Sequence, residues 1–195
     1  MPGRRVVRAL VLLLSLSALG ASADDQAFIA GVFSPPRLAP EFSLRGSDGT
    51  TLNLSRYRGK VVLLAFGYTS CTEVCPVTLS ILAQARRTLQ AAANELQILY
   101  ITVDPDRDTA LRMQRFVTAF DPSFVGGTGT SQQLAAVRAA YGISVGEKVS
   151  ISGGYALSHS SFTYLIDRDG KLRALMPFGH SAEDFAHDVR LLVQQ

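Results

Sequence analysis

Two apolar runs without polar–apolar alternation mark the centre of the predicted fold. The first extends from Val61 to Phe66 and ends at Gly67, and the second extends from Leu96 to Val103. Continuous apolar runs of this length, bounded by turn residues, are typical of strands that are buried on both faces. We therefore predict two central strands in the core of the domain.

Helical periodicity follows each run and predicts helices that end near Ala93 and Phe120. Residues 142–158 are rich in Gly and Ser and show no strong period. Strands that alternate with helices predict one α/β domain, with a central, mainly parallel sheet flanked by helices. The other predicted elements are an N-terminal hairpin over 40–54, a strand at 124–125, a helix over 131–141 capped by Ser131, a C-terminal antiparallel hairpin of strands 162–166 and 171–175, and a helix over 182–193 capped by Ser181.

The N-terminal segment has the pattern of an export signal. Three arginines precede an apolar stretch, and an Ala-Ser-Ala sequence ending at Ala23 fits a cleavage site. The alternative is retention as an uncleaved membrane anchor, although the stretch is short for a span of about 20 residues. The chain then divides into a signal peptide at 1–23, a flexible lead-in at 24–37 and one domain at 38–195.

Removal of the predicted signal changes the charge of the chain. The full sequence carries 19 Lys and Arg against 16 Asp and Glu, a formal net charge of +3, but three of the arginines precede Ala23. The remaining chain is therefore neutral. Since nucleic-acid binding needs a clustered basic face, we predict no nucleic-acid partner.

The chain of 195 residues has two cysteines, Cys71 and Cys75, just after the first apolar run. Such a pair at a strand end suits a structural disulfide, a redox couple or a soft-metal site. A disulfide across so short a loop would add only about 2 kcal/mol, which a domain of this size does not need. The following helix begins either with a capping box of Ser70 and Glu73 or at Pro76.

Three blocks of sequence together resemble the Sco/SenC family. The resemblance covers residues 38–193 and implies a thioredoxin-like fold. Members of this family are copper proteins that assist assembly of the copper centre of cytochrome c oxidase. The blocks are Gly67-Tyr68-Thr69-Ser70-Cys71-x-x-x-Cys75-Pro76, Val103-Asp104-Pro105-x-Arg107-Asp108-Thr109 and His159-Ser160-Ser161-Phe162-x-Tyr164-Leu165-Ile166-Asp167.

The resemblance implies a copper site. Cys71 and Cys75 match the copper-binding cysteines of the family, and His159 matches its copper-binding histidine. Two thiolates and an imidazole suit Cu(I), with Cu(II) as a second candidate. Oxidation to a Cys71–Cys75 disulfide would switch metal binding off. The family usually has an acidic residue where this chain has Ser158, so we expect a different copper affinity here if that neighbour tunes or orients the imidazole.

Other polar residues receive structural interpretations. The block of Asp104, Arg107 and Asp108 leaves loop capping with ion pairing and partner contact both open. Two other candidate ligands, His180 and His187, are expected at the surface or in helix capping. The candidates Met113 and Met176 are expected in the core.

The leading functional hypothesis is a metallochaperone for the copper centre of cytochrome c oxidase. Its partners would be the copper-bearing subunit of the oxidase and another copper donor or thiol reductant. The alternative is an enzyme, a thiol-disulfide oxidoreductase with Cys71 attacking and Cys75 resolving. A thiol peroxidase is disfavoured by the absence of Trp. The signal predicts export to a bacterial periplasm, either soluble or anchored to the inner membrane by the N-terminal segment.

Overall fold

The computed structural model describes residues 27–195 of the chain. The predicted signal peptide at 1–23 lies outside the described residues. In the part of the chain that the structure describes, no helix has the length and apolar character needed to cross a membrane.

The described residues form ten strands and four α-helices. The strands are β1 (Gly31–Leu38), β2 (Ser43–Gly46), β3 (Thr51–Asn53), β4 (Val61–Gly67), β5 (Leu96–Thr102), β6 (Val125–Thr128), β7 (Val145–Ile151), β8 (Gly154–His159), β9 (Phe162–Ile166) and β10 (Lys171–Pro177). The helices are α1 (Val74–Thr88), α2 (Ala110–Thr118), α3 (Ser131–Tyr141) and α4 (Ala182–Val193), with short 3-10 segments at Leu54–Tyr57 and Gln90–Glu95.

Eight strands form one sheet in the order β1-β10-β9-β4-β5-β6-β2-β3. Strands β4, β5 and β6 run parallel, and the other pairings in this sheet are antiparallel. The α/β class with both predicted hairpins is confirmed. The parallel part is smaller than predicted, because it is confined to the strands that crossover helices join.

The first apolar run forms the central strand. Every residue of β4 is buried, and Leu63 and Leu64 are fully enclosed between β5 and β9. Burying each such leucine contributes about 1.5–3 kcal/mol. The central strand therefore gives the cysteine-bearing segment that follows it a rigid base.

Helix α1 begins at neither of the two candidate starts. Its N-cap is Glu73, whose side chain makes no capping bond, so the predicted capping box with Ser70 does not form. Pro76 lies in the first turn, where its missing N–H is tolerated. The helix ends at Thr88 and continues as a 3-10 segment, short of the predicted end near Ala93.

The two predicted helix caps have different outcomes. The capping box of Ser181 with Asp184 at the start of α4 is confirmed. The prediction of Ser131 as a cap is wrong, because the neighbouring Thr130 forms the capping box with Gln133. Both Thr130 and Ser131 are good capping residues, and the position of Gln133 three residues after Thr130 decides between them.

Two regions without a clear pattern contain strands. Residues 31–38 pair with β10 as an edge strand, where prolines are tolerated, so the ordered fold extends ahead of residue 38. Residues 145–159 form the β7–β8 hairpin, a separate two-stranded sheet. Most of β7 is exposed, and an exposed strand has no buried face to impose alternation.

Candidate metal centre

The cysteine segment, residues 67–76, joins the end of β4 to the first turn of α1. It starts at a residue that has to be glycine. A Cβ at Gly67 would lie 1.9 Å from the Tyr100 hydroxyl and 2.8 Å from the Cys75 sulfur. The absent side chain therefore lets the second thiol pack directly against the central sheet.

A buried carboxylate anchors the cysteine segment. Asp108, which is 1% exposed, accepts hydrogen bonds from the Thr69 backbone N–H at 3.0 Å and from the Thr69 and Thr102 hydroxyls. Arg112 donates to the hydroxyls of Thr69 and Ser70 at 2.7 and 2.9 Å. Because Ser70 directly precedes Cys71, these bonds fix the position of the chain that leads to the first thiol.

The two cysteines are reduced and differ in environment. Cys71 is half-buried and Cys75 is 2% exposed. A hydrogen bond from the Cys75 thiol, helped by the backbone N–H groups of Cys75 and Glu73, lowers the pKa of Cys71 to about 5. The same hydrogen bond and burial raise the pKa of Cys75. One thiolate and one thiol are thus present at neutral pH.

His159 reaches the pair from the end of β8. Its Nε2 lies 3.6 Å from the Cys75 sulfur, and its Nδ1 lies 2.9 Å from the backbone carbonyl of Ser160. A carbonyl can only accept, so Nδ1 carries a proton, and in the neutral imidazole the lone pair of Nε2 then faces the thiols. The ring of Tyr68 packs edge-on against the imidazole at 5.9 Å.

The separation of sulfur and nitrogen fits a shared metal ion. With metal–sulfur and metal–nitrogen distances of about 2.3 and 2.0 Å, as in zinc sites, an angle of about 110–120° separates the two ligand atoms by about 3.5–3.7 Å. Among residues 27–195, however, no three His, Cys, Asp or Glu side chains are already arranged around one metal position. Cys75 and His159 are therefore the preset pair, and the Cys71 sulfur lies beside them, where it accepts a hydrogen bond from the Cys75 backbone N–H at 3.4 Å.

Ser158 does not orient the imidazole. It is exposed, and its hydroxyl faces Gly146 on the opposite strand of the hairpin, where a Cβ would lie 2.3 Å from it. The Ser160 carbonyl orients His159 instead. Ser158, the residue that departs from the family pattern, thus lies on the face of β8 that points away from the cysteines.

The other candidate ligands have the structural roles that were predicted. The two histidines contact carboxylates, His180 with Asp184 at 3.2 Å and His187 with Asp188 at 2.9 Å. The two methionines, Met113 and Met176, are fully buried in the core.

Sequence reasoning missed Tyr155, which lies two positions before Leu157 and four before His159 on β8. It also missed Arg112 and Tyr100. The alternation of Tyr155, Leu157 and His159 is a period-two signal that would have indicated a strand leading to the histidine. Arg112 and Tyr100 carry no such signal, because their partners are distant in sequence.

Comparison with known proteins supports the resemblance drawn from the three blocks. A family model described as SCO1/SenC matches residues 33–194. The chain is 38% identical over 154 residues to the bovine (Bos taurus) "Protein SCO2 homolog, mitochondrial", a match that covers 77% of this chain and 58% of the relative. The chain thus spans less than two thirds of the length of that relative.

Two solved structures carry copper and share the fold. Arabidopsis thaliana ScoI with copper bound has a TM-score of 0.75 at 26% identity, covering 81% of this chain and 99% of that one. Bradyrhizobium japonicum ScoI with copper bound has a TM-score of 0.73 at 30% identity, covering 80% and 99%. The thioredoxin-like fold implied by the resemblance is confirmed.

Proposed function

The chain belongs to the SCO1/SenC family, and we propose that it is a copper metallochaperone that helps to assemble the copper centre of cytochrome c oxidase. One observation carries the proposal. The imidazole of His159 lies 3.6 Å from the thiol of Cys75, although 84 positions separate them in sequence. Two family members of similar fold, from Arabidopsis thaliana and Bradyrhizobium japonicum, have copper bound in their solved structures.

Copper is the cargo of this site, and its ligands are Cys71, Cys75 and His159. Thiolates select soft ions such as Cu(I), and imidazole is compatible with both copper oxidation states. Cys71 offers a thiolate at neutral pH, whereas Cys75 gives up its proton when the metal binds. Three protein ligands leave the ion open to a further ligand, and ligand exchange then passes it to an acceptor.

The redox state of the cysteines gates this binding. Oxidation of the Cys71 thiolate and the Cys75 thiol to a disulfide releases one proton and two electrons, and the electrons reduce a partner disulfide to a dithiol. The disulfide removes both thiolates, so metal binding is lost. Reduction by a dithiol restores the site.

A second candidate function is thiol-disulfide exchange, and the unequal cysteines favour it. The half-buried Cys71 thiolate attacks a partner disulfide and forms a mixed disulfide, and one partner sulfur leaves as a thiolate. Cys75 then loses its proton, attacks the Cys71 sulfur and releases the reduced partner. The chain would then act as a reductase of partner cysteines.

The cellular setting belongs to the same proposal. The signal-like N-terminus supports export to a bacterial periplasm, in soluble form or attached to the inner membrane. The acceptor is the copper-bearing subunit of cytochrome c oxidase, and the donor is another copper carrier. Deletion of the gene separates the two functions: copper supplementation restores oxidase activity if the chain delivers copper, and does not restore it if the chain reduces thiols.

The direct test is the affinity of the reduced full-length chain for Cu(I), measured by competition with a chromogenic chelator. His159→Ala should weaken binding at least as much as the 10- to 100-fold that is typical for loss of an outer-shell partner. His180→Ala is the matched control, because this histidine is also partly buried but lies just before α4, where its Nδ1 contacts Asp184. Unchanged affinity in His159→Ala would remove the three-ligand site.

A further inference from the structure

The β7–β8 hairpin has to hold His159 in position without being part of the main sheet. It carries His159 at its last residue, yet no backbone ladder joins it to the eight-stranded sheet. Hydrogen bonds between strands are the usual means of fixing a strand end. Apart from the short connection from His159 to Phe162 of β9, side-chain contacts must therefore keep the imidazole facing the cysteines.

One face of β8 supplies these contacts. Tyr155, Leu157 and His159 alternate along the strand, so all three side chains point to the same side, toward the domain. Leu157 is buried, and its backbone N–H donates to the Tyr68 hydroxyl at 3.2 Å. The four-residue step from Tyr155 to His159 spans about 13 Å, so tilting at the tyrosine would displace the histidine.

Tyr155 is held by a closed set of polar contacts. Its hydroxyl donates to Asp104 at 2.6 Å, and its carbonyl accepts from Arg107 Nη1 at 2.8 Å. Arg107 Nε in turn donates to the other oxygen of Asp104. The Asp104 side chain is 1% exposed, so the pairing takes place away from solvent and is not weakened as a surface ion pair is.

Stacking adds to these bonds. The Arg107 guanidinium lies 3.6 Å from the centre of the Tyr155 ring and 5.5 Å from that of Tyr68. Tyr68 is also the residue whose ring packs against His159. Arg107 is thus in contact both with the hairpin and with the tyrosine that borders the metal centre.

We propose that Asp104, Arg107 and Tyr155 form a hairpin clamp that positions His159 for copper binding. The clamp residues are positioning residues, since none of them touches the metal. The inference rests on the proposed copper function. It also assigns a role to Asp104 and Arg107, whose block the sequence leaves open between ion pairing and partner contact.

The first test compares Arg107→Ala with Arg173→Ala in the reduced full-length chain. The two arginines have similar side-chain exposure, 21% and 20%, and each pairs with a loop aspartate, but Arg173 pairs with Asp167 at the β9–β10 turn. Arg107→Ala should weaken Cu(I) binding about 10-fold or more, as loss of an outer-shell partner does. Arg173→Ala should bind as the wild type does.

A conservative variant tests the geometry rather than the charge. Lysine at position 107 keeps the charge but cannot donate to Asp104 and Tyr155 from one planar group, so Arg107→Lys should lose nearly as much affinity as Arg107→Ala. Tyr155→Phe keeps the stacking and loses one hydrogen bond, and should show a smaller loss. It also serves as the readout if the Arg107 variants fail to fold.

A double-mutant cycle separates positioning from general damage. If the clamp acts through His159, Arg107→Ala should cause no further loss of affinity in a His159→Ala background. An equal loss in both backgrounds, or wild-type affinity in Arg107→Ala and Tyr155→Phe, would overturn the clamp. Unchanged affinity in His159→Ala alone would overturn the copper proposal instead, so the two failures are distinguishable.

Hydrogen exchange of the copper-free protein gives an independent readout. Arg107→Ala should speed exchange of the Leu157 amide, which the docked hairpin protects, and leave β4 amides such as that of Leu64 unchanged. Faster exchange throughout the domain would assign Arg107 to general stability. Unchanged exchange at Leu157 would equally contradict the clamp.

Discussion

The cysteine segment and the β7–β8 hairpin bring the proposed copper ligands to one place with very different support. The cysteine segment continues the fully buried central strand and is anchored by the buried Asp108. The hairpin lies outside the main sheet and is mostly exposed along β7. One side of the metal centre is therefore built into the core, and the other side is docked onto it.

This difference suits the proposed function, in which the protein binds an ion and then releases it. Peripheral elements with few buried contacts open at lower free energy than the core does. A ligand on such an element can withdraw without disturbing the fold, whereas the thiols stay in place. The strength of the docking contacts then sets how firmly the third ligand is held.

The largest predicted effect comes from a substitution in the central strand, on the core side of the comparison. Leu64 is fully buried in β4, so Leu64→Ala should lower the free energy of unfolding by about 2–5 kcal/mol, because it leaves a cavity between strands. Leu157→Ala in the hairpin should lower it by less, yet should weaken Cu(I) binding more, since it loosens the strand that carries His159. Urea denaturation and copper titration of both variants check this contrast.

The matched control for these substitutions is Val149→Ala, which removes an exposed side chain on the same hairpin. It should change the free energy of unfolding by no more than about 0.5 kcal/mol. If Leu157→Ala destabilised the domain as much as Leu64→Ala does, the hairpin would be part of the core and the contrast would be lost.

The next effect concerns the pH dependence of the cysteine side. The pKa of Cys71 is about 5 in the folded chain against an ordinary value of 9.0, so the unfolded chain binds the additional proton between these values. The resulting stabilisation is fully present above pH 9, and it is lost as the pH falls toward 5. The pKa of Cys75 is raised, so above about pH 9 the unfolded chain loses this proton before the folded chain does. The free energy of unfolding therefore falls as the pH rises above this value.

Urea unfolding of the reduced protein from pH 5 to pH 9 checks this sign. The difference in free energy of unfolding between the wild type and Cys71→Ser should grow as the pH rises. Parallel pH profiles for the two proteins would mean that the thiolate of Cys71 is not stabilised by folding.

The smallest effect concerns a hydroxyl beside the second thiol. Tyr100 is 1% exposed, and among the described residues its hydroxyl lies beside the Cys75 thiol without a hydrogen bond of regular geometry. Tyr100→Phe should therefore change the free energy of unfolding by less than about 1 kcal/mol. Tyr141→Phe, which removes a bond to the Pro40 carbonyl at 2.7 Å, should cost about 1–3 kcal/mol. A loss as large for Tyr100→Phe would indicate that this hydroxyl is bonded to Cys75 in solution.

The sequence predicted the elements that bury a face and missed those that do not. The apolar runs of β4 and β5 and the capping box at Ser181 were clear, because each is written in neighbouring residues. Strand β1, with its two prolines, and the exposed β7 gave no such signal. Local sequence leaves the start of α1 open between a capping box of Ser70 with Glu73 and a start at Pro76, and the structure uses neither, since the N-cap Glu73 makes no side-chain bond.

The candidate site divides in the same way. Cys71 and Cys75 stood out by spacing alone, whereas His159 was identified by resemblance to a family. Nothing in the local sequence of His159 states that it faces Cys75. The roles of Asp104 and Arg107 were equally open, because both act on Tyr155, about 50 positions away.

The sequence by itself determined the α/β order of the elements, the thiol pair at the end of the central strand and the family to which the chain belongs. Those features are local, or repeat a pattern shared with relatives. Only the tertiary structure decided that a hairpin outside the sheet brings the imidazole of His159 to Cys75, and that Arg107 holds this hairpin. Contacts between distant segments depend on how the chain packs, and packing is settled by the whole fold rather than by any one stretch of it.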